Sequence, residues 1–212
     1  MNEFNEKNTT RTEFQNYYYS NSTDAREWLW NVADTAFGTS NAETLEVVDD
    51  CEKKWLINYL TDHGFEVENI HEPVGNMCHC DLFSYNPKKN KLYVWETKER
   101  DIPSTLYKTA LLDDEKTTYL KNGLANFNDL ISDTENKIKV VVSIVHFYND
   151  GNVYFFNLED FNPKWDRVIW TERTHKKKSG SREKVQLLCH FYSMNKPRLM
   201  LHDEQVKSFY RN

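Results

Sequence analysis

The sequence lacks any apolar run near the roughly 18 residues that would argue for a membrane span. Its opening, "MNEFNEKNTTRTEFQ", lacks the apolar stretch of a secretory signal. These absences lead us to expect a cytoplasmic protein with no membrane partner. Cysteine is scarce, and in that compartment Cys51, Cys78, Cys80 and Cys189 read as reduced thiols. There is no internal repeat and no low-complexity linker. Neither a Gly-rich phosphate loop nor a G-x-S-x-G stretch occurs, so nucleotide-hydrolase and serine-hydrolase chemistry have no footing.

What is present fits an α/β domain. The 212 residues suit one ordinary domain with an appendage, and 39% hydrophobic and 14% aromatic residues can fill a core. The net charge of -6 is unevenly spread. Residues 1–52 carry 11 acidic and 3 basic side chains, whereas residues 53–212 carry 22 acids and 24 bases. The acidity therefore says little against a polyanionic partner, although it argues against indiscriminate electrostatic coating of DNA.

Residues 1–22 read as a polar arm, followed by a helix in "TDAREWLWNVADTAF". A second helix is expected from about Asn41 to His63. Its stripe is Leu45, Val48, Trp55, Leu56, Tyr59 and Leu60, and Gly64 ends it. "FEVENI", "HCDLFSY" and "KLYVWETK" read as strands, the last two joined by the turn "NPKKN". A helix near residues 104–122 precedes the apolar strand "KIKVVVSIVHFY", and "NDGN" turns that strand into "VYFFNL". A final hairpin pairs "RVIWTER" with "KVQLLCHFY" around the basic loop "THKKKSGSRE". Interleaved helices and strands favour a mixed sheet flanked by helices. The expected segments are an arm and helix (1–40), a core (41–160) and a C-terminal β extension (161–212).

The chemistry concentrates at "WETKERD". Glu96 and Lys98 stand two apart, so they share one face of a strand whose other members include Leu92 and Val94. The plain alternative is a salt bridge at a strand end. Asp81 lies on the preceding strand, with fourteen residues between it and Glu96, and the tight turn makes the two strands antiparallel neighbours. Paired carboxylates at adjacent strand ends suit Mg²⁺ or Mn²⁺, and the Thr97 carbonyl can add a ligand. Lys98 can then act on a metal-associated water or on the charge of the pentavalent phosphate. Glu52 falls within the apolar stripe of the preceding helix, where a carboxylate is costly unless paired or bound to a cation. Asp49 and Glu46 are its alternatives, and a Glu52 reaching water at the edge of the stripe is the other outcome.

This order resembles the PD-(D/E)XK nuclease superfamily: an acid on the first helix, an Asp on one strand and Glu-x-Lys on the next. The likeness covers roughly residues 42–160. Cys80 stands where that family often has proline. The resemblance implies a restriction-endonuclease-like αβββαβ core and a divalent-metal-dependent nuclease. Its product ends would be 5′-phosphate and 3′-hydroxyl, and DNA is favoured over RNA. Glu52, Asp81, Glu96 and Lys98 would be catalytic, with Mg²⁺ or Mn²⁺ held by Asp81, Glu96, Thr97 and Glu52.

Nucleic acid is expected to meet Lys116 on the following helix and Arg173, Lys176, Lys177, Lys178 and Arg182 around the basic loop. For all of these, a solvated cation is the competing reading. Two other functions stay open. One is a catalytically silent protein of this fold that binds nucleic acid or protein. The other is a zinc-stabilised module built on His71, Cys78, His79 and Cys80, residues that otherwise read as small buried thiols and a surface histidine. A homodimer is left open.

Overall fold

Alternation along the strands divides the apolar residues between two faces of one sheet, and that division decides which helices reach the chemistry. The computed structural model describes residues 4–38, 51–73, 78–174, 182–194 and 197–210. The helices are α1 (Arg11–Tyr19), α2 (Thr23–Phe37), α3 (Cys51–Asp62) and α4 (Asp114–Leu130). The first strands are β1 (Ile70–His71), β2 (Leu82–Asn86), β3 (Lys91–Arg100) and β4 (Thr109–Asp113). They are followed by β5 (Lys139–Tyr148), β6 (Asn152–Asn157), β7 (Asn162–Thr174), β8 (Arg182–Ser193) and β9 (Leu199–His202). A 3₁₀ helix, Glu204–Tyr210, comes last.

The central sheet has the order β1-β2-β3-β5-β6-β9. Its pairs are antiparallel except β3 with β5, which run parallel through the α4 crossover. The protein is therefore α/β with a mixed central sheet. A second sheet, β4-β8-β7, carries the expected C-terminal hairpin. Among the described residues no helix is long and apolar enough to cross a membrane.

On one face, Phe83, Tyr85, Leu92, Val94 and Ile144 pack with Leu29 and Phe37 of α2 and Leu120 and Phe127 of α4. On the other, Leu82, Trp95, Val145 and Phe155 pack with Trp55, Leu56 and Leu60 of α3 and with Val206. The N-terminal helices and the last strand thus share cores with the segment between them.

Several boundaries differ from the sequence reading. The arm contains α1, because Thr10 and Glu13 form a reciprocal capping box and Phe14 and Tyr18, one turn apart, are buried. "FEVENI" is mostly a 3₁₀ turn at Val67–Asn69, leaving only Ile70–His71 as strand. The helix expected near 104–122 starts later. Residues 109–113 pair with β8 instead, and the Asp113 side chain accepts from Lys116 N at 2.7 Å to start α4. Leu45, Val48, Glu46 and Asp49 lie outside the described residues, so the expected long helix is described only from Cys51. Gly64, at φ 88°, ends it in the left-handed conformation.

Helices α2 and α4 meet closely at Gly123, where a Cβ would fall inside the Phe37 ring. Gly123→Ala should therefore destabilise the protein by about 1–3 kcal/mol, although alanine is the better helix former by roughly 1 kcal/mol. Urea denaturation checks this, and a stabilised variant would mean the two helices can spread at no cost.

Candidate active site

Strand β2 begins at Leu82, later than the expected start at His79, because Asp81 does something other than pair as strand. Its main-chain N–H donates to Trp95 O at 2.9 Å. Its Oδ2 accepts from both Thr97 N (2.6 Å) and Thr97 Oγ1 (2.8 Å). The carboxylate thus takes the place of the next ladder bond, and the β2–β3 edge ends on a charged group. In an antiparallel ladder a residue turns its N–H and C=O to the same neighbour. The Thr97 carbonyl therefore shares the edge that Asp81 occupies.

Glu96 follows the alternation of Leu92 and Val94 and enters the face covered by α4. It is 1% exposed. Its Oε1 receives Lys98 Nζ at 2.5 Å and Lys116 Nζ at 3.0 Å. Among the described residues its Oε2 is buried with no hydrogen-bond partner. Burial, and after it the Asp81 charge, pushes the Glu96 pKa above the ordinary glutamate value, against the pull of Lys98 and Lys116. Lys116 also donates to His79 O at 3.0 Å. Burial works against its ammonium, but Glu96 and Asp81 outweigh it and hold its pKa above the usual lysine value. The His79 ring stacks on Tyr119 at 3.8 Å, and burial followed by the Lys116 charge lowers its pKa.

The structure thus brings Asp81, Glu96, Thr97, Lys98 and Lys116 together. Helix α3 packs on the opposite face of the sheet, and the Glu52 charge acts on the Tyr210 hydroxyl, which donates to Phe147 O. Among the described residues no three His, Cys, Asp or Glu side chains are grouped to hold a metal ion. The two carboxylates and one carbonyl are nevertheless hard oxygen donors. Magnesium commonly takes only one or two protein carboxylates and completes its shell with water and phosphate. The unpartnered Glu96 Oε2 is where such an ion would find a ligand already desolvated.

Among the described residues those of the zinc alternative form no metal-holding group, although the Cys78 and Cys80 thiols lie close enough to interact. His71 Nε2 bonds Asp34 Oδ2 at 2.9 Å, the Cys78 thiol lies 3.9 Å from Asp34 O, and Cys80 is buried. Burial raises the Cys80 pKa well above the ordinary thiol value. Lys176, Lys177 and Lys178 lie outside the described residues. Near the ends of β7 and β8, Arg173 pairs with Glu183 and Arg182 with Thr174.

Two polar residues of this face escaped the sequence reading. His146 is fully buried on β5, in register with Lys98, and its Nε2 has no partner among the described residues. Burial, then the Arg100 and Lys98 charges, holds its pKa well below the ordinary histidine value, so the ring is neutral at pH 7. Nothing in the sequence announces this, because a parallel partner 48 residues away cannot be paired by local pattern. Arg100 could have been found. It stands two residues beyond Lys98 and so continues the Glu96–Lys98 face. No protein-family model, curated protein or solved structure matches the chain.

Proposed function

We propose that the chain is a divalent-metal-dependent phosphodiesterase of the PD-(D/E)XK type, with a restriction-endonuclease-like core, that cleaves nucleic acid as a DNA endonuclease. One observation carries the reading. Glu96 is a fully buried carboxylate with one unpartnered oxygen, beside Asp81 and beneath two lysines. A buried charge of that kind is costly to keep unless it binds something. The order α3, β1, β2, β3, then α4 and a parallel β5 supports the core assignment.

Asp81, Glu96 and the Thr97 carbonyl would hold Mg²⁺ or Mn²⁺. When bound, the ion lowers the pKa of its water and neutralises phosphate charge. Lys98, partly exposed, offers its ammonium to the attacking water or to the charge that builds on phosphorus. Lys116, anchored on His79 O, keeps Glu96 Oε1 fixed and adds positive charge. The Thr97 N–H and hydroxyl fix the Asp81 carboxylate.

A second reading has its own observation. Both lysines already neutralise Glu96 Oε1, which is what a purely structural buried ion pair in a silent nuclease-fold protein would show. Incubation with supercoiled plasmid, linear duplex, branched DNA and RNA separates the two. Cleavage should require Mg²⁺ or Mn²⁺, Ca²⁺ should support binding without efficient cutting, and excess EDTA should stop the reaction. Undiminished cutting in EDTA would overturn the metal mechanism. Binding without cleavage of any substrate would favour the silent protein.

A further inference from the structure

Arg100 carries the same strand face one step past Lys98, roughly 6.6 Å further along β3. Its residue is partly exposed, yet burial depresses the guanidinium pKa below the ordinary arginine value. Of its five donors, the only side-chain hydrogen bond among the described residues is from Nη2 to Leu111 O, at 2.7 Å. No carboxylate lies within ion-pair distance of it among the described residues. Asp113, which acts on it electrostatically, is engaged as the α4 cap, where it accepts from Lys116 N. Asp150 is likewise engaged, by the Ser104 N–H and hydroxyl at 2.8 and 2.7 Å.

Arg100 lines a cavity of about 50 Å³ whose walls combine Ser104, Tyr107 and Thr109 with the apolar Ile102, Pro103 and Ala110. That volume exceeds the roughly 10–15 Å³ a single water needs, and Tyr107 at its mouth is 59% exposed. A guanidinium that has one carbonyl partner and lines an accessible, largely apolar cavity is complementary to a planar or tetrahedral oxyanion.

We propose that the Arg100 cavity is an oxyanion subsite that seats a phosphate group. Its source rests on the nuclease reading above: the phosphodiester next to the one being cut, one step along the strand from Lys98. Free inorganic phosphate offers the same chemistry, so the test separates the two.

Wild type, in EDTA, is melted with inorganic phosphate and with chloride at matched ionic strength. Phosphate should raise the Tm, and Arg100→Met should remove that shift. Should Arg100→Met fail to fold, Tyr107→Glu places a carboxylate at the mouth from an exposed position and should abolish the shift as well. Binding of a DNA duplex in Ca²⁺ is then measured against salt. Either variant should weaken it about tenfold, and Arg100→Met should lower the log–log salt slope by about one. A phosphate shift lost in the variants with unchanged duplex affinity would overturn the phosphodiester source and leave a free-phosphate site. A phosphate shift in a protein that binds no nucleic acid would sink the nuclease reading while the subsite stands. No phosphate shift, with variants binding duplex as wild type does, overturns the subsite.

Discussion

Glu96→Gln should lower metal-dependent cleavage by about a thousandfold with the fold retained, because glutamine fills the same space but offers no charge to a cation. Glu96 lies at the centre of the group, touching Lys98 and Lys116 and raised in pKa by burial and by Asp81. A metal ion arriving in mildly acidic buffer must displace the proton that the raised pKa retains. Calorimetry in buffers of different ionisation enthalpy should therefore register proton release in wild type and less in Glu96→Gln. The metal-free protein carries a matching pH signature. The folded pKa is raised, so this group's contribution to stability is present below the unfolded glutamate pKa and lost as pH rises through the folded one. The wild-type Tm in EDTA should fall across that window relative to Glu96→Gln, whose curve should be flatter there. Wild-type cleavage by the variant, or parallel Tm curves, would return Glu96 to a structural salt bridge.

Lys98→Met and Lys116→Met should fail in different ways. Lys98 is partly exposed and stands where water and phosphate can reach it, so its loss should cost roughly 10²- to 10³-fold in rate. Lys116 would remain on Glu96 in that variant and no backbone carbonyl would lose its donor, so the stability loss should be the smaller of the two. Lys116→Met removes one of two cations from a buried carboxylate and leaves His79 O without its donor. It should destabilise the protein by about 1–3 kcal/mol, which for a chain of this size is a Tm drop of roughly 2–12 °C. Single-turnover cleavage and thermal denaturation of both variants test the division. Equal rate losses with equal Tm values would mean the two lysines are interchangeable neutralisers of Glu96.

The strand carrying Glu96 and Lys98 was legible because its period of two is unbroken from Leu92 and its neighbour is fixed by a short turn. The β5–β6 hairpin was legible for the same reason, with Gly151 at φ 88° in the turn. The face taken by α3 was not. A helix stripe says which side of the helix is buried, and it does not say which side of the sheet receives it, so Glu52 could be aimed at Asp81 only by assumption. The start of β2 was misread because Asp81 binds the Thr97 donors through its side chain, and a propensity pattern counts such a residue as strand. "TALLD" is apolar and continuous with the α4 sequence. Its strand character comes from pairing with β8, some 80 residues later in the chain. Lys116 was singled out for phosphate, whereas it contacts Glu96 and His79, which it reaches only once α4 docks.

The parallel pairing of β3 with β5 also orders events in time. Asp81 and Glu96 lie on strands joined by a four-residue turn, Pro87–Asn90, so they can meet as soon as that hairpin closes, on a microsecond scale. Lys91 must wait for Lys139, 48 residues later, and closing that larger loop costs more entropy and is slower. Loop closure therefore lets the acids pair before Lys116 and β5 dock to neutralise and cover them. During that interval the hairpin presents two open carboxylates to solvent and cations, and desolvation of Glu96 begins only when the crossover helix lands.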